Sequence, residues 1–156
     1  MVGVKMGTPV NLDAVLGRLY TALSSADVET WVSLHSDDVV FNVNGSTPVS
    51  GRTCGANTIL TELLPLLFSR LEPGMAQIGI NWKVMCADDR RVTVIFQGRA
   101  RTLEGKDYNN RYIQILEFDD KQKICEVWEF FDTALAENVL FAPGQTAPDS
   151  TAAFEY

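Results

Sequence analysis

The chemistry most readily written into this chain is proton transfer by a single carboxylate. In the run Ile124-Cys125-Glu126-Val127-Trp128-Glu129-Phe130-Phe131-Asp132, strand alternation sends Cys125, Val127, Glu129 and Phe131 to one face and Ile124, Glu126, Trp128, Phe130 and Asp132 to the other. Glu129 then stands as the one charge in an apolar row. A carboxylate stripped of water in such a row has a raised pKa and can carry a proton near neutrality. The competing reading is a strand carboxylate paired with Arg99 or Arg111. Asp132, on the opposite face where the chain leaves the strand, is placed to cap a following helix by accepting backbone amide protons.

Further polar groups fall into line by the same periodicities. Asn110, Tyr112 and Gln114 share one face of the run from Tyr108 and form a row suited to holding a ligand oxygen. Trp31 and His35 stand one helical turn apart and would border the mouth of a pocket. Tyr20, on the apolar side of the first predicted helix, can donate a hydrogen bond inward, although aromatics at helical spacing also serve as core. Arg52, after Gly51, reads as a turn-fixing residue. The three cysteines, Cys54, Cys86 and Cys125, are odd in number and far apart, which predicts reduced, mostly buried thiols. With one histidine in the chain and no Cys-x-x-Cys pair, no metal is predicted.

These residues need a scaffold, and the apolar pattern supplies one. Leu12, Val15, Leu16, Leu19, Tyr20 and Leu23 repeat at helical spacing behind Asn11 as N-cap, and a second helix begins at Asp27 and runs through Trp31 to His35. Asp37-Asp38 then opens the strand Val39 to Val43, and Gly45-Ser46-Thr47-Pro48 reads as a turn. Residues 56–71 form a third helix with a wide leucine stripe, bent at Pro65. Four strands follow, at 77–87, 92–103, 108–118 and 124–132, joined by short turns that imply antiparallel neighbours. A short helix or turn is expected over 133–141.

The pattern predicts an α+β domain spanning 1–141, with N-terminal helices packed on a curved antiparallel sheet, and a flexible tail over 142–156. Both faces of the meander carry apolar rows, so a homodimer through the sheet is expected. The net charge of −7, with 13 Lys+Arg spread along the chain, argues against nucleic acid as a partner. No stretch is long and apolar enough to suggest a membrane span, and a cytoplasmic protein is expected.

The segments Asp38-Val39-Val40-Phe41, Gly51-Arg52, Tyr108-Asn109-Asn110-Arg111-Tyr112 and Val127-Trp128-Glu129-Phe130-Phe131-Asp132, in that order, resemble the NTF2-like superfamily in its SnoaL-like and ketosteroid-isomerase-related branch. The resemblance runs from about Leu12 to Phe141. It implies a cone-shaped (cystatin-like) α+β barrel, usually dimeric, that works on a small, largely apolar ligand without a cofactor. The branch includes polyketide cyclases, ketosteroid isomerases, limonene-epoxide hydrolases and phenazine-biosynthesis proteins. Matching the Tyr-Phe-Asp of the epoxide hydrolases to Phe130-Phe131-Asp132 puts their acidic catalytic position at Glu129. Their Arg-x-Asp pair falls on Ile95 and Gln97, and the isomerases' base, oxyanion tyrosine and acid fall on Asn42, Leu19 and Gln114. The implied function is therefore isomerisation, cyclisation or dehydration of a polyketide-, terpenoid- or steroid-like molecule with Glu129 as proton carrier. One alternative is epoxide opening by water held between Glu129, Asn42 and Gln114; the other is a non-catalytic binding or dimerisation module.

Overall fold

The computed structural model describes residues 10–141, so the tail expected beyond residue 141 lies outside the described residues. Side-chain caps start both N-terminal helices. Asn11 accepts from the Ala14 amide at 3.2 Å to begin α1 (Leu12–Ser25), and Asp27 accepts from the Thr30 amide at 3.0 Å to begin α2 (Val28–Leu34). Each satisfies an amide that has no partner within its own helix. From α2 the chain passes directly into β1 (His35–Val43), so His35 belongs to the strand rather than to the helix.

The expected turn around Gly51-Arg52 is paired strand instead. β2 (Gly51–Cys54) lies antiparallel to β1, with Asn42 opposite Arg52 and Val43 opposite Gly51. The third helix comes in pieces: α3 (Ala56–Thr58), a π turn (Ile59–Leu63) and α4 (Leu64–Phe68). Pro65 has no amide proton to continue an α ladder, and the backbone widens just before it, the Leu64 amide reaching back five residues to the Ile59 carbonyl.

The meander follows as β3 (Gln77–Ala87), β4 (Arg91–Arg101), β5 (Asp107–Phe118) and β6 (Ile124–Phe131). Asp132 then accepts from the Leu135 amide at 3.0 Å and starts α5 (Thr133–Leu140). The six strands lie in the order β2-β1-β6-β5-β4-β3. All neighbours are antiparallel except β1 and β6, which run parallel and set Val43 beside Glu129. The sheet is thus mixed, and it curves without closing, the helices completing its wall.

On its concave side Val92, Val94 and Phe96 of β4 and Tyr112, Leu116 and Phe118 of β5 pack against Leu16, Leu19 and Tyr20 of α1, Trp31 and Leu34 of α2, and Ile59. Burial of each such side chain stabilises the fold by about 1.5–3 kcal/mol. One bulge changes the expected facing of β6. Glu117 pairs with Glu126 but Phe118 pairs with Ile124, which leaves Cys125 as an extra residue. Ile124, not Cys125, therefore shares the core face with Val127.

On the convex side Ile95, Ile113 and Phe130 stand in cross-strand register, and Ile113 is 44% exposed. The thiols are free, but not mostly buried as expected: Cys54, on the four-residue edge strand, and Cys86, near the end of the other edge strand, are exposed, and Cys125 is half-buried. Among the described residues no helix is long and apolar enough to cross a membrane.

Candidate functional site

A cavity of about 90 Å³ lies between the concave face and the helices. Its walls are apolar: Leu19 and Leu23 from α1, Phe41 and Val43 from β1, Phe96, Leu116 and Val127 from the sheet, and Leu63, Leu64, Leu67 and Phe68 from the third helix. The wide leucine stripe of residues 56–71 was the sequence signal for that last wall. It needs more apolar width than a core contact alone because its inner edge faces a space. The polar groups on the lining are His35, Tyr112, Gln114 and Glu129, with the Trp31 indole.

Glu129 projects from β6 into this space between Val127 and Phe131. Neither Arg99 nor Arg111 pairs with it; its hydrogen-bond partner is Gln114, whose Nε2 donates to Oε2 at 2.5 Å. The Gln114 carbonyl oxygen accepts from the Tyr20 hydroxyl at 3.3 Å. A chain of donors thus runs Tyr20 to Gln114 to Glu129, and the ionised carboxylate fixes the amide's orientation because it can only accept, which turns Nε2 toward Glu129 and leaves the amide oxygen for the phenol. Desolvation by burial raises the Glu129 pKa above its usual range, and the Gln114 amide opposes this in part. Glu129 keeps some accessible surface, yet protein surrounds it; that surface belongs to the cavity wall. The carboxylate's other oxygen, Oε1, has no partner among the described residues.

Tyr20 is held against β3 by an unusual strand. Gly79 has φ of +75°, and a Cβ there would lie 2.2 Å from the Tyr20 ring, so only glycine lets α1 lay the ring on the strand. Burial pushes the Tyr20 phenol far up, with the Glu129 charge acting the same way, and it stays a donor. Tyr112 stacks on Phe96 with centroids 4.9 Å apart and donates to the Tyr108 hydroxyl at 3.3 Å.

Trp31 and His35 stack at 3.8 Å and both line the cavity. His35 Nδ1 lies 2.7 Å from the Trp31 carbonyl, which can only accept, so Nδ1 carries the proton. Burial lowers the His35 pKa to about 4, helped slightly by Lys123, and the ring is neutral at physiological pH.

Three expected site residues are not on the cavity lining: Tyr20, which stands behind Gln114 and bonds to it, and the two asparagines Asn110 and Asn42. Asn110 is buried, but its amide donates to the Tyr108 hydroxyl (2.9 Å) and the Asp132 carbonyl (3.1 Å), while its oxygen accepts from the Arg111 and Asp132 amides. With its hydrogen-bonding capacity spent on tying β5 to the start of α5, it has nothing left for a ligand. Asn42 lies on the convex side, opposite Trp128, where it donates to Glu126 Oε1 at 2.9 Å and accepts from Arg52 at 3.4 Å. Arg52 belongs to this network and not to a turn. Tyr108 went unremarked in the sequence. It is the hub on which Asn110 and Tyr112 converge, and its place in the buried row of β5 was the available signal.

Among the described residues no group of three or more His, Cys, Asp or Glu side chains is gathered that could hold a metal ion.

A family model described as a SnoaL-like domain matches residues 16–127. No curated protein matches the sequence. Among solved structures, an NTF2-like protein of unknown function from Burkholderia pseudomallei K96243 superposes with a TM-score of 0.73 at 13% identity, covering 85% of this chain and 99% of its own. Bal32a, from a soil-derived mobile gene cassette, gives a TM-score of 0.71 at 20% identity over 82% of this chain and 95% of that one. A provisionally named polyketide cyclase from Pseudomonas putida KT2440 gives 0.66 at 16% identity over 87% and 100%. At such identities the likeness shows the fold.

Proposed function

This chain belongs to the SnoaL-like domain family and has the NTF2-like α+β fold, and from that premise we propose that it is a cofactor-independent acid–base enzyme for a small, largely apolar molecule of polyketide, terpenoid or steroid type. The reaction is isomerisation, cyclisation or dehydration, and Glu129 carries the proton. One observation supports this above the rest: a desolvated carboxylate with Oε1 unclaimed stands on the wall of an apolar cavity. Desolvation makes it a stronger base, Gln114 steadies Oε2, and the hydrocarbon walls exclude the water that would compete for the proton. Proton removal at one carbon and return at another is isomerisation; removal followed by ring closure is cyclisation. The name of the Pseudomonas neighbour agrees with this class of chemistry.

Epoxide opening has less support, because Asn42, one of the three groups that would hold its water, lies across the sheet from Glu129. The same proposal makes the protein a cytoplasmic homodimer joined through the convex row of Ile95, Ile113 and Phe130. The test is solvent-deuterium exchange at the carbon beside the carbonyl in a panel of cyclic ketones, followed by NMR. Wild-type protein should accelerate exchange in at least one ketone, and Glu129→Gln should cut that rate about a hundredfold or more while leaving ligand affinity in place. A fully active Gln variant would sink the assignment. Saturable binding with no exchange in any ketone would favour the binding-module alternative.

A further inference from the structure

The end of the cavity walled by α2 and the start of β1 holds a polar group that the proton transfer does not use. His35 is 4% exposed, its ring lines the cavity, and it is pinned on three sides: Trp31 stacks on it, Phe41 stands 6.0 Å away, and the Trp31 carbonyl takes the Nδ1 proton. That hydrogen bond decides the tautomer. Nε2 is left with its lone pair and has no partner among the described residues. Nε2 is not among the sealed, unpartnered polar atoms, so it keeps surface that a molecule in the cavity can reach, and a ligand can supply the donor it lacks. No lysine or arginine lines the cavity, so nothing there compensates an anionic ligand.

We propose that His35 Nε2 is a ligand-recognition acceptor, and that the molecules this cavity takes are uncharged, apolar bodies bearing a hydroxyl that donates to it. The proposal rests on reading the cavity as a small-molecule site, and it narrows the substrate class from apolar in general to apolar alcohols, enols and phenols. Carboxylates and phosphates are excluded by the same geometry, since both the Nε2 lone pair and the Glu129 carboxylate repel them. His35 is a binding residue in this assignment. The proton is moved by Glu129 whether or not His35 reads a hydroxyl.

The test uses 4-ethylphenol, its methyl ether 4-ethylanisole and 4-ethylbenzoate as probes, with isotope-labelled full-length protein. His35 is the only histidine in the chain, so each imidazole nitrogen gives a single resonance. The phenol should bind about tenfold more tightly than the ether, and it alone should move the Nε2 signal upfield. His35→Phe keeps a ring on Trp31 and removes the acceptor; it should abolish the preference for the phenol. An Nε2 resonance that no probe moves overturns the proposal, whether or not His35→Phe folds. So does a phenol preference that survives His35→Phe, which would place the reading of the hydroxyl at Glu129. Loss of ketone exchange in Glu129→Gln bears on the proton carrier alone, so the failure of either assignment is visible without the other.

Discussion

Glu126 and Glu129 stand three residues apart on one strand and live in different chemistries. Glu126 is on the convex side, half-buried, where it accepts from Asn42 at 2.9 Å and lies 3.8 Å from the Arg52 guanidinium. Glu129 is on the concave side, with a neutral amide as its one hydrogen-bond partner, no cation beside it and an apolar cavity in front of it. The first is a charge that the structure compensates and the second is a charge that it leaves costly. The difference teaches that sheet facing, more than residue type, separates a structural carboxylate from a reactive one. Three residues suffice to change sides because alternation has a period of two.

The sharpest way to break this comparison is to neutralise each carboxylate in turn. Glu129→Gln is expected to lose about a hundredfold or more of ketone exchange, whereas Glu126→Gln should stay within about twofold of wild type. Equal losses would mean that the two faces are not independent. Next in size is Gly79→Ala, which pushes a methyl group into the Tyr20 ring at a left-handed backbone position. Overpacking of that kind costs about 1–3 kcal/mol of unfolding free energy, read by urea denaturation. Because Tyr20 donates to Gln114, the surviving folded protein should also exchange more slowly. The convex counterpart, Ile113→Lys, tests the proposed dimer: it should leave the monomer folded and, if the convex row joins two copies, shift the sedimentation profile toward monomer.

A smaller effect sharpens the contrast through pH. Burial raises the folded pKa of Glu129 above that of the unfolded chain. Between those two values the native state holds more protons than the unfolded one, so stability falls as pH rises through that window and stays lower above it. Glu129→Gln removes this term and should melt higher than wild type at neutral pH. For a chain of this size each 1 kcal/mol recovered appears as roughly 2–4 °C in Tm. Below the ordinary carboxylate range the difference should vanish, because both states are then protonated. His35 works in the opposite sense. Its folded pKa is lowered to about 4 from 6.5, so its contribution to stability is present above the unfolded value and is lost as pH falls toward 4.

The parts of this fold legible in the sequence are those set by local physics. Asn11, Asp27 and Asp132 each accept the amide that a cap should accept, and β4 and β5 alternate between buried and less buried positions along their length. What stayed hidden depends on distant partners. β2 is four residues long and becomes a strand through its pairing with β1, so Gly51-Arg52 reads as a turn in isolation. Asn42 gives no local hint of which face it takes, because the parallel pairing of β1 with β6 decides that. Asn110 lies in the right row of β5, but the end of β6 passes close enough to claim its hydrogen bonds. The facing of Glu129 was read correctly even though the alternation behind it slips at Cys125, since the bulge lies upstream of Val127.

Arg52→Ala carries the smallest expected effect and probes the comparison from its convex side. The Arg52 side chain is 48% exposed, its ion pair with Glu126 is long at 3.8 Å, and its contact with Asn42 is 3.4 Å. An exposed pair of this geometry contributes about 0–1 kcal/mol and weakens further in salt. Urea denaturation of Arg52→Ala should therefore show a loss inside that range, shrinking at high ionic strength, with ketone exchange unchanged. Asn42 nevertheless touches the β6 backbone, its amide lying 3.4 Å from the Val127 carbonyl two residues before Glu129. If loosening Arg52 slowed exchange, the disturbance would have crossed the sheet along that contact. The convex network would then be a positioning device for the cavity, and the separation of the two carboxylates by facing would have to give way to a coupling through β6.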